Sequence, residues 1–306
     1  MRNLDSVAPT VTGHAASQPN ANGWYNDDVT VQWTVTDADP SSGIVAQPSD
    51  PVINGEGGDL SAESGPVCDV AGNCSTGFVS GNKIDRTKPS VDVAGVEDGK
   101  TYTLGGGTDG FLREATDHLS GVDGECDGTV TGGTANGVGD FVYAAKATDK
   151  AGNVRLVSVA YRVVYRFDGF QQPINDPVLV PGAARSVFKS GSTVPVKFQV
   201  KRADGTLVEP GDCAGMVDAG EGGSPTGASV NEAVWSEPAT SGTQFEKTGD
   251  QWHYNWKTKG VAAGYTYRIG VRLDDGTKHY VVVGEGVGPT FVPRPNHEQG
   301  VQGRLI

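Results

Sequence analysis

Asp69-Val70-Ala71-Gly72-Asn73 returns 80 residues later as Asp149-Lys150-Ala151-Gly152-Asn153. Strand-like residues flank the motif, Phe141 to Thr148 before the second copy and Val154 to Tyr161 after it. A tight reversal needs residues that tolerate positive φ, and Gly and Asn do so at least cost. The Asp carboxylate can accept backbone N–H groups inside the turn. The motif therefore reads as a hairpin loop whose polar residues need no catalytic purpose. Calcium ligation is the alternative use for them.

Two more motifs keep the same register. Asp5-Ser-Val-Ala-Pro9 returns as Asp85-Arg-Thr-Lys-Pro89. Thr36-Asp37 returns as Thr116-Asp117, and the Ser42-Gly43-Ile44 that follows it returns as Ser120-Gly121-Val122, two positions short of the period. Tandem copies of one small unit imply a modular rod, which presents or spaces something. Between the motifs, Val29, Val31, Trp33 and Val35 alternate and fall on one face of a strand. Val157 to Val164 is richer in apolar residues, as a more central strand requires. Short strands with turn signals every 8–12 residues or so indicate a sandwich.

Cys68 and Cys74 bracket the first hairpin motif and face each other across it, which suits a disulfide. Closing so short a loop adds about 2 kcal/mol in the chain-entropy model. Thr148 and Val154 hold those places in the second copy, so the bond is an optional staple, and it implies an oxidising compartment.

The chain has 306 residues, 45 of them Gly, and a formal net charge of −13. The glycine, valine and threonine content is that of an all-β chain with many turns. Phosphate binding needs clustered Lys and Arg, so the acidic balance excludes nucleic acid as a partner. No apolar run reaches the roughly 18–20 residues of a membrane span, and membrane insertion is not expected. Met1 to Val7 lacks the apolar core of a signal peptide. An export signal is expected upstream, and the location is extracellular or at the cell surface.

Residues 1–165 resemble the bacterial immunoglobulin-like repeats of secreted actinobacterial proteins, the first unit the OmpL47-type. Gly23-Trp24-Tyr25-Asn26-Asp27-Asp28-Val29-Thr30-Val31, the Asp85–Pro89 link, Ser120-Gly121-Val122 and Ala147 to Asn153 carry the likeness. The second unit is similar to relatives with two cysteines around the Ser-Gly segment. Here Cys126 fits the second of these, but Ala115 stands where the first belongs. After Tyr165 the repeat stops. Lys189-Ser-Gly191-Ser-Thr-Val194-Pro195-Val196-Lys197-Phe198, Tyr254-Asn255-Trp256, Gly264-Tyr-Thr-Tyr267-Arg-Ile269 and Leu273-Asp-Asp275-Gly276 resemble the PxKF domain, which closes strings of such repeats and implies no activity.

The residues of this last unit also read as β. Asp275-Gly276 signals a type I′ hairpin, and Pro195 belongs on an edge strand or at a strand's start. Trp252, Tyr254 and Trp256 share one face of a strand, as core or as a platform for sugar rings. Trp24 and Tyr25 lie in a loop-like stretch and are the better exposed aromatic candidates, with packing against a neighbouring strand as the other reading. Lys197 is read as an aliphatic stem packed on the sheet with a solvated ammonium, against an isopeptide bond with no identifiable partner. Residues 205–245 read as long loops, and Cys213 lies there without a local partner. The tail from Gly288 reads as extended or disordered.

Catalytic patterns are not found. Gly105-Gly-Gly107-Thr-Asp-Gly110 matches a dinucleotide fingerprint in letters only, with no helix pattern after it. Asp37-Ala-Asp39-Pro-Ser-Ser-Gly43 has its Gly one place late for an EF-hand, and Pro48 stands where the bidentate Glu belongs. Asp37, Asp39, Asp85 and Asp117 remain candidates for a looser, structural calcium site between modules. His14, His118, His253, His279 and His297 are dispersed.

The sequence thus predicts an all-β chain of three tandem β-sandwich (Ig-like) modules in an elongated arrangement. Their bounds are 1–86, 87–165 and 166–287, with a tail at 288–306. The expected function is a non-catalytic stalk, spacer or adhesion module of a secreted or surface-attached bacterial protein, facing a protein or polysaccharide surface and needing no cofactor beyond possible structural calcium. The alternatives are a carbohydrate-binding accessory region of a secreted hydrolase and a virion surface decoration module.

Overall fold

A computed structural model describes residues 5–107, 110–208, 240–242, 244–261 and 263–286. Among these residues every regular element is a strand, as the composition predicts. The strands are β1 (Thr10–Ala15), β2 (Val29–Thr36), β3 (Val52–Ile53), β4 (Gly57–Cys68), β5 (Cys74–Ile84), β6 (Ser90–Ala94), β7 (Lys100–Thr103), β8 (Leu112–Thr116), β9 (Asp127–Gly132), β10 (Gly139–Thr148), β11 (Val154–Val164), β12 (Arg166–Phe170), β13 (Val187–Lys189), β14 (Thr193–Lys201), β15 (Glu246–Thr248), β16 (Gln251–Lys257), β17 (Tyr265–Arg272) and β18 (Lys278–Gly286). They form sheets of order β1-β2-β3, β4-β5, β6-β8, β7-β11-β10-β9, β12-β14-β16-β15 and β13-β18-β17. The sequence period survives in the strands, since β5 and β11 have the same length and sit 80 positions apart.

The described residues fall into two compact units. One lies within Met1–Lys100, Thr108–Thr131 and Phe141–Tyr161, the other within Thr101–Gly107, Gly132–Asp140 and Arg162–Ile306. In the first, the sheet β1-β2-β3 packs on the β4-β5 hairpin around Val29, Val31, Ile53 and Ile84. The alternation read for β2 holds: Val29 and Val31 are buried, Trp33 and Val35 half-buried, and the residues between them face out or are only partly covered. Trp33 fits because two strands offer it glycines. A Cβ on Gly77 would lie 2.7 Å from the ring, and one on Gly13 would sit closer still. Further along, Phe111 meets Tyr143 at 4.6 Å and Tyr161 at 5.7 Å between ring centroids, giving the second repeat an aromatic centre.

In the second unit, β12-β14-β16-β15 and β13-β18-β17 enclose Phe170, Phe188, Phe198, Val194, Val196, Ile269 and Val283. Phe167 of β12 stacks on His279 of β18 at 3.9 Å, and Trp256 of β16 meets Tyr267 of β17 at 5.8 Å, so side chains of the two sheets touch. Pro195 was expected on an edge strand or at a strand's start, and β14 begins two residues before it, at Thr193. Its strand β14 lies inside the sheet order, but β12 pairs with it only from Phe198 onward. At Pro195 the strand therefore has a partner on one side alone, Asn255 of β16, and the missing N–H leaves no broken ladder.

Five hairpin loops share one geometry. In Asp69–Asn73, Thr134–Val138, Asp149–Asn153, Arg202–Thr206 and Leu273–Thr277, the first residue's N–H donates to the fifth residue's carbonyl, and the fourth residue's N–H to the first carbonyl. The fourth residue is always glycine with positive φ, between 75° at Gly137 and 96° at Gly152. These are three-residue loops closed by a left-handed glycine. The Asp275-Gly276 hairpin forms where expected, but as this loop. A type I′ turn needs positive φ at Asp275, and among the described residues only glycines have it.

Candidate functional site

The polar residues of the repeat signature converge twice. Asp5, Asp37 and Asp69 each bring a carboxylate oxygen to a point where all three lie within 4.8 Å of one another, and so do Asp85, Asp117 and Asp149. Within each triad the residues are 32 positions apart (5, 37, 69 and 85, 117, 149). Each triad joins the entry link, the Ser-Gly segment and the hairpin loop, three pieces of chain far apart in sequence.

The links are made by backbone donors. Asp5 Oδ1 accepts Val7 N at 3.1 Å and Oδ2 accepts Ser42 N at 2.7 Å. In the second copy Asp85 takes Thr87 N at 3.0 Å and Ser120 N at 3.0 Å. Asp37 takes Gly43 N at 3.3 Å, and Asp117 takes Gly121 N at 2.7 Å. Asp69 and Asp149 each accept the backbone N–H of the closing Asn at 2.8 Å. The side-chain amides of Asn73 and Asn153 then bridge to the same Asp and to the carbonyl of Asp5 or Asp85. These N–H bonds hold the Asp5 carboxyl below the usual carboxylate range, Val7 N first among them.

Three carboxylates so close repel unless a proton or a cation lies between them. Asp69, Asp85 and Asp149 are buried, which strengthens the repulsion. At the first triad Asp37 Oδ1 is buried with no hydrogen-bond partner. A donor set made only of carboxylate oxygens suits a hard cation of the calcium type. The residues present fit such an ion: Asp5, Asp37 and Asp69 would hold one, Asp85, Asp117 and Asp149 another.

Of the four calcium candidates read from the sequence, Asp85 and Asp117 share a triad and Asp37 belongs to the other. Asp39 is exposed and lies in neither. Asp5, Asp69 and Asp149 were read as link and turn residues, and the 32-residue spacing was the signal that joins them to the rest.

The Cys68–Cys74 disulfide is present across the first hairpin, with a Cα–Cα distance of 4.1 Å. Cys126 is a free thiol. Cys213, most of 205–245 and the tail at 288–306 lie outside the described residues.

The aromatic candidates separate. Tyr254 and Trp256 are buried and belong to the core, and Trp252 is half-buried. Trp24 and Tyr25 are half-buried at a cleft of about 570 Å³ that also takes in Gln18, Asn26, Asp27 and Asp28. Tyr25 is anchored there, its hydroxyl donating to Ser17 O at 3.1 Å.

No family model matches the chain, and no curated protein matches it. Solved structures align over most of its length. The Escherichia coli adhesin FdeC is 14% identical, with 92% of this chain and 98% of that one covered and a TM-score of 0.25. The protocadherin γB4 extracellular domain is 11% identical, over 89% of this chain and 48% of that one, with a TM-score of 0.23. The human desmocollin-1 ectodomain is 9% identical, over 92% and 60%, with a TM-score of 0.22. Likenesses this distant carry no weight for function. No helix among the described residues is long and apolar enough to cross a membrane.

Proposed function

We propose that the chain is a non-catalytic extracellular scaffold, a stalk or spacer of a secreted or surface-attached bacterial protein. One observation carries this: in both repeats the signature residues hold the entry link against the Ser-Gly segment and the hairpin loop, the Asp oxygens engaged by backbone N–H groups and the Asn amides by the link carbonyl. Carboxylates committed in this way fix the end of a module. The disulfide, which an oxidising compartment favours, and the resemblance to bacterial Ig-like repeats and the PxKF domain support the same reading. Calcium belongs to it as a neutralising ion, favoured by the orphaned Asp37 oxygen.

Single-molecule pulling tests the scaffold. A load-bearing chain unfolds in discrete steps with contour lengths of whole modules, and extension without such steps would sink the reading. A second reading, carbohydrate binding, draws support from Trp24 and Tyr25 at their amide- and carboxylate-lined cleft. Calorimetric titration with soluble cell-wall glycans separates the two. The scaffold reading expects no heat of binding, and saturable heat lost in Trp24→Ala would replace it.

A further inference from the structure

Within the first unit, the loops Asp69–Asn73 and Asp149–Asn153 are twins in their own bonding and differ in what covers them. In both, the second residue's N–H reaches the glycine carbonyl of the Ser-Gly segment: Val70 N to Gly43 O, and Lys150 N to Gly121 O, each at 2.8 Å. The second loop is also capped by residues from the first repeat. Asn20 Nδ2 donates to Lys150 O at 2.8 Å, and Asn22 Nδ2 to the same carbonyl at 3.2 Å and to Asp123 Oδ2 at 3.5 Å. The capping loop is closed on itself, because Asn20 Oδ1 accepts both Asn22 N and Trp24 N. It is also tied to the link, since Tyr25 N donates to Lys83 O and Asp85 N to Tyr25 O. Ala151 is consequently 3% exposed, whereas its twin Ala71 is exposed.

The uncapped loop has a different surface. Where the second repeat has Lys150 and Asp123, the first has Val70 and Val45, 69% and 65% exposed. Val70 N to Gly43 O and Val45 N to Cys68 O hold them on either side of the Ile44–Asp69 bridge. The Val70 carbonyl, counterpart of the one that takes two amides at Lys150, accepts no hydrogen bond from a described residue. Exposed Val45 and Val70, with a carbonyl that no described residue bonds, form a surface suited to burial.

We propose that Val45, Val70 and Ala71 form a docking surface for another repeat of the same kind. That repeat is joined through the Asp5–Pro9 link as residues 5–84 are joined through Asp85–Pro89. The partner loop carries an amide donor for the Val70 carbonyl, as Asn20 and Asn22 do for Lys150. The first triad supports this placement, because Ser42 N on Asp5 and the Asn73 amide on the Asp5 carbonyl fix the link to the Ser-Gly segment and the hairpin, as Ser120 N and the Asn153 amide do at Asp85. The kind of partner rests on the tandem-scaffold reading.

The test fuses a second copy of residues 5–84 in frame ahead of Asp5 of the full chain. Methyl NMR with a soluble paramagnetic agent reports exposure. Relaxation at the original Ala71 and Val70 methyls should fall severalfold, to the level of Ala151, and return when the added copies of both asparagines are changed to alanine. An added copy with dispersed, folded methyl signals that leaves Ala71 as exposed as before would overturn the docking surface and leave the scaffold reading standing. A second measurement needs no fusion. Asn20→Ala with Asn22→Ala in the natural chain should expose Ala151 to the agent, and an Ala151 that stays shielded removes the amide turn as the recognition element and the proposal with it.

Discussion

Asn153 donates its side-chain amide to the carbonyl of Asp85 at 2.9 Å, across 68 positions of sequence, while also holding Asp149 Oδ2 at 2.9 Å. One residue thus closes a hairpin loop and fastens the link that enters the module. Asn73 does the same for Asp69 and Asp5.

Asn153→Ala removes these bonds and a longer one to Thr87 O, and leaves the buried Asp149 with less hydrogen bonding. Losses of this kind cost about 2–3 kcal/mol. Urea unfolding should show a lower midpoint with an unchanged slope. A cost under about 0.5 kcal/mol, the scale of an ordinary surface change, would make the contact incidental.

The triads predict a response to cations. A ligand that binds only the folded state raises stability by mass action. Millimolar calcium added to EDTA-stripped protein should raise the unfolding temperature by several degrees, and magnesium, which demands a tighter octahedral site, should do less. Asp37→Asn with Asp117→Asn should abolish the response. Identical melting curves with and without calcium would leave the triads as clamps made by backbone N–H groups alone, with no ion.

The sequence made some of this readable and hid the rest for physical reasons. The hairpins were legible because a left-handed glycine is a local requirement, met by Gly72 and Gly152 within five residues of chain. The loop at Asp275-Gly276 was half legible. An Asp-Gly pair suits both two- and three-residue loops, and the choice fell to the pairing of Leu273 with Thr277. The triads were not assembled because Asp5, Asp37 and Asp69 look like turn and link residues until tertiary structure joins them. The difference between Ala71 and Ala151 could not be read at all, since it depends on a loop from another part of the chain.

The disulfide should prove a staple. Thr148 and Val154 occupy its places in the second repeat, and that hairpin forms without it. Cys68→Ala with Cys74→Ala should therefore keep the fold and lose about 2 kcal/mol. Circular dichroism would report an unchanged spectrum with a lower melting point. Loss of the strand signal would mean that the bond is required for folding.

Gly13→Ala should be more damaging than an exposed strand substitution ordinarily is. The new methyl would sit 2.5 Å from Val79 Cγ2 and overlap the Trp33 ring. Overpacking of this kind costs about 1–3 kcal/mol. The indole should move with it, so Trp33 fluorescence ought to shift alongside the stability loss. An unchanged melting point would show that the ring has room to turn away.

Glu285 gives the second unit a pH dependence. The side chain is fully buried, and both carboxyl oxygens lack a partner. The nearby Thr258 hydroxyl is committed to Ser192 O at 2.8 Å. Burial pushes the Glu285 carboxyl from its ordinary 4.5 up to about 7. Between those values the folded state keeps a proton that the unfolded state has released. The group's contribution to stability is therefore full below 4.5 and is lost as pH rises through about 7. Glu285→Gln carries no charge and should flatten this part of the profile. Near pH 8 the variant should be the more stable protein by about 2 kcal/mol, a figure kept below the full shift because the buried amide has a cost of its own. The two proteins should converge near pH 4. Parallel stability profiles from pH 4 to 8 would mean that Glu285 finds a donor in solution and ionises as an ordinary carboxylate.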